Sequence, residues 1–138
     1  MTSVLERLRD AANGHDPHGV ASVFAEEYQS TQPLHPGRDF VGRAQVLKNW
    51  LSVFEGVPDF HCELVAASVD GELQWGEYFW RGLHTDGSAF AMRGVTIFVV
   101  RDDLIAEGRL YMEPVELGGG DIGVAVQGLY KPPQAPPS

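Results

Sequence analysis

Apolar positions in the first part of the chain recur at helical spacing, and after Pro58 they alternate in the manner of strands. Val4, Leu5 and Leu8 share one face of a helix over residues 3–12, with Ser3 as N-cap and Glu6 three residues on as its capping-box partner. Asn13-Gly14 ends that helix, and Asp16-Pro17 opens a second, with Asp as N-cap and Pro in the first helical position. The second helix carries Val20, Val23 and Phe24 inward and runs to about Glu26-Glu27. Residues 28–32 form a short extended piece, and residues 33–39 a loop rich in Pro, Gly and His. A third helix over residues 42–54 presents Val46, Leu47, Trp50, Leu51 and Phe54 as a wide apolar stripe.

The alternating part divides into strands over residues 59–69, 73–84, 90–101 and 105–114, separated by the turn pairs Asp70-Gly71, Asp86-Gly87 and Asp102-Asp103. Helices followed by hairpin-linked strands specify an α+β class: N-terminal helices packed on a strongly curved antiparallel sheet, wrapped around a mostly apolar pocket. This domain occupies residues 1–116, and residues 117–138 form a flexible Gly- and Pro-rich tail.

Parity sorts the side chains of the second strand onto two faces. Trp75, Glu77, Phe79 and Arg81 share one, while Tyr78, Trp80 and His84 share the other. Both carry aromatic rings, so each needs a cover: helices on one side and, on the other, a second copy of the chain, which predicts a homodimer through the outer sheet face. A two-residue turn at Asp86-Gly87 sets Glu77 opposite Thr96, Phe79 opposite Gly94 and Arg81 opposite Met92, and a bulge at the tip would flip that pairing. The Asp102-Asp103 hairpin admits either a plain two-residue turn or a bulged three-residue one, which place opposite faces of the last strand beside Glu77.

Composition narrows the partners. Ten Lys and Arg against 19 Asp and Glu give a formal charge of −9, with no basic cluster, which excludes nucleic acid and disfavours anionic membrane surfaces. The single Cys62 rules out an intramolecular disulfide and, inside an apolar alternation, reads as a buried thiol. No signal-peptide run or membrane-length apolar stretch occurs, so a cytoplasmic location is expected.

The segments PDFHCELVAASVDGELQWGEYFWRGLHTDG and MRGVTIFVVRDDLIAEGRLYMEP, together with VGRAQV at the start of the third helix, resemble the nuclear transport factor 2-like superfamily and within it the SnoaL-like domains. The resemblance spans residues 3–116 and implies the same cone-shaped scaffold, which hosts isomerases, epoxide hydrolases, polyketide cyclases and non-catalytic binders. Where steroid-isomerase-like relatives place a general-base Asp, an oxyanion Tyr and a protonated Asp, this chain has Gln32, Leu8 and Thr96. The Arg and two Asp of limonene-epoxide-hydrolase-like relatives fall on Trp75, Glu77 and Leu110. The comparison favours Leu110 inward and Tyr111 outward.

Glu77 is therefore the first catalytic candidate: between Trp75 and Phe79 on a concave apolar face, its carboxyl would be desolvated and suited to acid/base work. The structural alternative is an ion pair with Arg81 or Arg93, or a place in a dimer interface. His35, in the loop above the pocket mouth, is the second catalytic candidate, with Gln32, Thr96 and His61 as polar contacts for a ligand. Trp50, Phe54, Trp75, Phe79, Met92 and Phe98 are candidate walls, as are Leu110 and Met112. No metal-ligand spacing, phosphate loop or nucleophile elbow is present, so neither a metal nor an organic cofactor is implied. The functional expectation is a pocket for a small apolar or aromatic molecule. Three readings follow: isomerase, hydratase or cyclase chemistry on an apolar or polycyclic substrate through Glu77; non-catalytic binding of a small hydrophobic ligand; or a dimerising structural module.

Overall fold

A computed structural model describes residues 2–130. The elements run α1 (Val4–Asn13), α2 (Pro17–Ser22), β1 (Phe24–Thr31), β2 (Phe40–Val41), α3 (Arg43–Gly56), β3 (His61–Asp70), β4 (Leu73–Leu83), β5 (Ala89–Arg101), β6 (Leu104–Pro114) and α4 (Ile122–Leu129). The first three helices cover one face of an open six-stranded sheet of order β2-β1-β6-β5-β4-β3. The architecture is the α+β cone expected from the sequence.

Local chemistry sets the helix ends. Ser3 Oγ accepts from the Glu6 amide and Glu6 Oε1 accepts from the Ser3 amide, both at 3.1 Å, which closes the capping box. Asp16 caps α2 by accepting from the Gly19 amide at 2.9 Å. At the other end of α1, the Asn13 amide exchanges two hydrogen bonds with the Cys62 backbone, 2.9 Å to its carbonyl and 2.6 Å from its N–H. These bonds satisfy a stretch of β3 that, as an edge strand, would otherwise be unpaired.

Two expectations are corrected by the topology. The second helix stops at Ser22, and Phe24 begins a strand, because β1 pairs with β6 in parallel and the Ile105 amide donates to the Val23 carbonyl at 2.9 Å. Long-range pairing overrides the helical propensity of the Ala-Glu-Glu stretch. The sheet is consequently mixed rather than wholly antiparallel. The short β2, antiparallel to β1, was not foreseen.

The third correction is one of register. Leu83 pairs with Ala89, leaving five residues at the β4–β5 tip, where the His84 amide donates to the Ser88 carbonyl and the Gly87 amide to the His84 carbonyl. The pairing therefore slips by one residue: Glu77 lies opposite Val95, Phe79 opposite Arg93 and Arg81 opposite Ala91. A one-residue slip exchanges the faces. Gly76, Tyr78 and Trp80 join Thr96 and Met92 facing the helices, and Trp75, Glu77 and Phe79 face outward.

At the next hairpin both alternatives contribute. Asp102 and Asp103 form a two-residue turn with φ of 52° and 63°, and a bulge follows between Val99 and Val100 in the β5–β6 ladder. Thr96 then pairs with Leu110, and Val95 with Tyr111.

The core lies between α1–α3 and the inner sheet face, centred on Leu5, Val20, Tyr28, Tyr78, Phe98 and Ile105, each at most 2 % exposed. Beyond β6 the chain forms α4, capped by Asp121, whose side chain accepts from the Val124 amide at 3.0 Å; its residues are exposed throughout. The Pro-rich end of the tail lies outside the described residues. No helix among the described residues is long and apolar enough to cross a membrane.

Candidate functional site

The inner face of the sheet and the helices do not fill the space between them. A cavity of about 210 Å³ remains, bounded by Leu8 and Ala12 of α1, Phe24 and Tyr28 of β1, and Trp50 and Val53 of α3. The sheet side contributes Tyr78 and Trp80 of β4, Met92, Thr96 and Phe98 of β5, and Leu110 and Met112 of β6. One wall is an aromatic stack in which Trp50 meets Trp80 at 5.4 Å and Phe60 at 5.4 Å between ring centroids, both near edge-to-face. On β6, glycine is required: a Cβ on Gly108 would collide with the Tyr28 hydroxyl and the Phe98 ring.

Polar groups inside this wall are few. Thr96 is 2 % exposed, and its Oγ1 has no hydrogen-bond partner. Tyr78 donates its hydroxyl to the Leu5 carbonyl at 3.2 Å. The mouth is polar, formed by Gln32, Arg38 and Asn49, and opens onto a vestibule that also holds Asp39 and Gln45.

Burial keeps the acidic groups of the wall neutral. It pushes the Cys62 thiol up to about 12, opposed by a hydrogen bond with Trp80, and the Tyr28 phenol up to about 12, opposed by Ser30. The Tyr78 phenol is raised by the same desolvation. Among the described residues, Arg38 is thus the one cavity-lining group ionised at neutral pH, and no carboxylate or imidazole lines the space.

A pH dependence follows. Cys62 and Tyr28 have folded values above their ordinary values of 9.0 and 10.0, so their neutral forms favour the native state. The stability they confer is fully present below pH 9 and is lost as pH rises through the folded values near 12. Thermal unfolding followed between pH 8 and about pH 12 should therefore show a steady fall that begins above about pH 9. A melting temperature that stays flat across that window would show that these groups are not buried as described.

Seven sequence candidates come together around the cavity: Gln32, Trp50, Met92 and Thr96, with Phe98, Leu110 and Met112. Six do not. Glu77 lies on the outer face, half-exposed, and pairs with Arg93 at 3.3 Å, which removes the desolvated environment expected for it. Trp75 is 44 % exposed on the same face, and Phe79 there lies beneath the guanidinium groups of Arg81 and Arg93, 5.7 and 5.5 Å from its ring centroid. His61, opposite Arg81, is exposed on that face too. Trp75, Glu77 and Phe79 share the register slip at the β4–β5 tip, and His61 shares their face because it pairs with Arg81 of β4. His35 turns away from the mouth and contacts Glu113 Oε1 through Nε2 at 2.6 Å, tying its loop to the end of β6. Phe54 sits behind the wall, stacked on His15 and tilted against Trp50.

Sequence reasoning missed Tyr28, Arg38 and Asn49 as lining residues, and left Tyr78 and Trp80 on the wrong side. For the last two the signal existed, since parity had already separated them from Glu77. Among the described residues no group of three or more His, Cys, Asp or Glu is placed to hold a metal ion.

A family model for the SnoaL-like domain matches residues 5–108. Among solved structures, the chain is similar to IdmH from Streptomyces antibioticus, whose own assignment as a polyketide cyclase is provisional: TM-score 0.69 and 20% identity, covering 80% of this chain and 89% of that one. It is also similar to a hypothetical protein with a ketosteroid isomerase-like fold from Catenulispora acidiphila, solved in complex with trimethylamine, at TM-score 0.69, 17% identity, and 79% and 85% coverage. A cystatin-fold protein from Novosphingobium aromaticivorans gives TM-score 0.63 at 18% identity, with 79% and 97% coverage. At these identities the likeness concerns the fold. Comparison with functionally curated proteins returns no match.

Proposed function

The chain belongs to the SnoaL-like domain family, and from that premise we propose that it binds a small, largely apolar molecule bearing one hydrogen-bonding oxygen, without acid/base chemistry of its own. The observation that carries this reading is the unpaired Thr96 hydroxyl in a largely apolar cavity wall. A buried hydroxyl left without a partner costs roughly 1–3 kcal/mol, which a ligand oxygen or N–H would recover.

Size supports a modest ligand. An apolar cavity of about 150 Å³ accepts benzene, so a space of about 210 Å³ suits one ring with a short side chain rather than a polycyclic body. The enzyme reading through Glu77 loses its motivation, because that carboxylate faces away from the cavity and is paired with Arg93. No residue of the wall can accept a proton from carbon at neutral pH.

Calorimetric titration with butyrophenone, an aryl ketone of suitable size, tests the proposal. Saturable one-to-one binding is expected. Sustained chemical conversion of such a ligand by the purified protein would overturn the non-catalytic part.

We also propose that a second copy covers the outer face. Trp75, Phe79, Val95 and Tyr111 form its apolar centre, with Glu77 and Arg93 beside them, a self-complementary mixture suited to a two-fold contact. Sedimentation analysis should give a dimer for the native chain and a monomer for Trp75→Glu; a native monomer at micromolar concentration would contradict the arrangement.

A further inference from the structure

The mouth of the cavity differs chemically from its interior. Arg38 forms no ion pair among the described residues, although the chain carries 19 acidic groups against 10 basic ones. Its Nη1 donates to Gln32 Oε1 at 3.1 Å. A guanidinium has five N–H donors in a planar fork, so most of this one is left for another acceptor.

The two amides beside it are oriented by their own bonds. Gln32 Oε1 is engaged by Arg38, and Asn49 Oδ1 accepts from Gln45 Nε2 at 2.8 Å. Each oxygen accepts one bond that fixes the orientation of its amide, and both NH2 groups remain as donors toward the opening. The rim around the opening is therefore a ring of donors with one permanent positive charge. The neighbouring carboxylate, Asp39, lines the outer vestibule rather than the cavity, and its Oδ1 accepts from the Gln32 backbone N–H at 3.3 Å.

We propose that the ligand is an amphipathic carboxylic acid, its apolar body in the cavity with a carbonyl oxygen beside Thr96, and its carboxylate held at the mouth by Arg38, with Gln32 and Asn49 as supporting donors. The inference rests on the reading of the cavity as a small-molecule site and adds the charge of the molecule it selects. A planar carboxylate matches the guanidinium fork with two parallel N–H···O bonds, and such charge-assisted bonds are about twice as strong as neutral ones. Interior apolarity alone would favour the neutral counterpart over the ionised acid, because an unpaired carboxylate is costly to desolvate. The donor rim reverses that preference.

The test is a pair of isosteric probes, 4-oxo-4-phenylbutyrate and 4-oxo-4-phenylbutyramide, titrated calorimetrically at low ionic strength, with n-butylbenzene as a purely apolar control. The native protein should bind the acid at least about tenfold tighter than the amide, a difference of about 1.4 kcal/mol. Arg38→Gln should collapse that ratio to within about twofold, and Arg38→Lys should retain part of it, because the charge survives without the fork. Equal affinities for acid and amide in the native protein, with n-butylbenzene still bound, overturn the acid preference and leave the cavity as a binding site. A ratio that survives Arg38→Gln overturns the role of Arg38. If none of the three probes binds, the reading of the cavity as a small-molecule site falls as well.

Discussion

Replacing Phe98 by alanine is expected to lower stability by about 3–5 kcal/mol, the range for deleting a buried phenyl ring. Phe98 is 2 % exposed, meets Phe24 edge-on at 6.0 Å between centroids, and packs against the Gly108 backbone. Its loss cannot be absorbed by collapse, because it borders a space that is already unfilled. The void created would merge with the existing cavity, which places the cost toward the upper part of the range. For a chain of this size the melting temperature should fall by about 10–20 °C. Calorimetric unfolding of Phe98→Ala decides the matter, and a shift below about 3 °C would mean that the ring is not packed as described.

Replacing Thr96 by valine is expected to act with opposite signs on the empty and the occupied protein. Valine nearly matches threonine in shape and removes the orphaned hydroxyl. The empty protein should therefore gain about 1–2 kcal/mol of stability, since a buried polar group without a partner is relieved. Butyrophenone, whose carbonyl accepts from that hydroxyl, should bind about tenfold more weakly, whereas n-butylbenzene, with no oxygen to pair, should not weaken. Denaturant unfolding and calorimetry on one variant thus probe both halves of the argument. Destabilisation of the empty protein would show that the hydroxyl is satisfied in solution, and an unchanged ketone-to-hydrocarbon ratio would remove Thr96 from the site.

Much of the fold is legible in the sequence because it is written in local chemistry. The Ser3–Glu6 capping box, the Asp16-Pro17 helix start and the alternation after Pro58 each specify an element without reference to the rest of the chain. Features fixed by distant partners are not written there. Phe24 to Thr31 becomes a strand only because β6 is available to pair with it, eighty residues on in the chain. The site suffered from the same dependence in sharper form. Whether Glu77 or Tyr78 faces the helices turns on one residue at the β4–β5 tip, where the sequence Thr-Asp-Gly-Ser supports both a two-residue and a longer turn. Thr96, Phe98, Leu110 and Met112 line the cavity although the pairing that first put Glu77 beside Thr96 was displaced by one residue. The bulge beside Val99 restored the face of β6. Arg38 carries no periodic signal at all, since it lies in a single 3-10 turn (Pro36–Arg38) between β1 and β2 and only the folded chain shows what surrounds it.

The chain contains three tryptophans, and their placement supplies the most direct test of ligand binding inside the cone. Trp50 and Trp80 line the cavity, and Trp75 stands on the outer face. Titration of the 15N-labelled protein with butyrophenone, followed through the three indole N–H resonances, separates the two locations in one experiment. Saturable shifts of the Trp50 and Trp80 signals with Trp75 unmoved are the predicted result; a shift confined to Trp75, or none at saturating ligand, would contradict it.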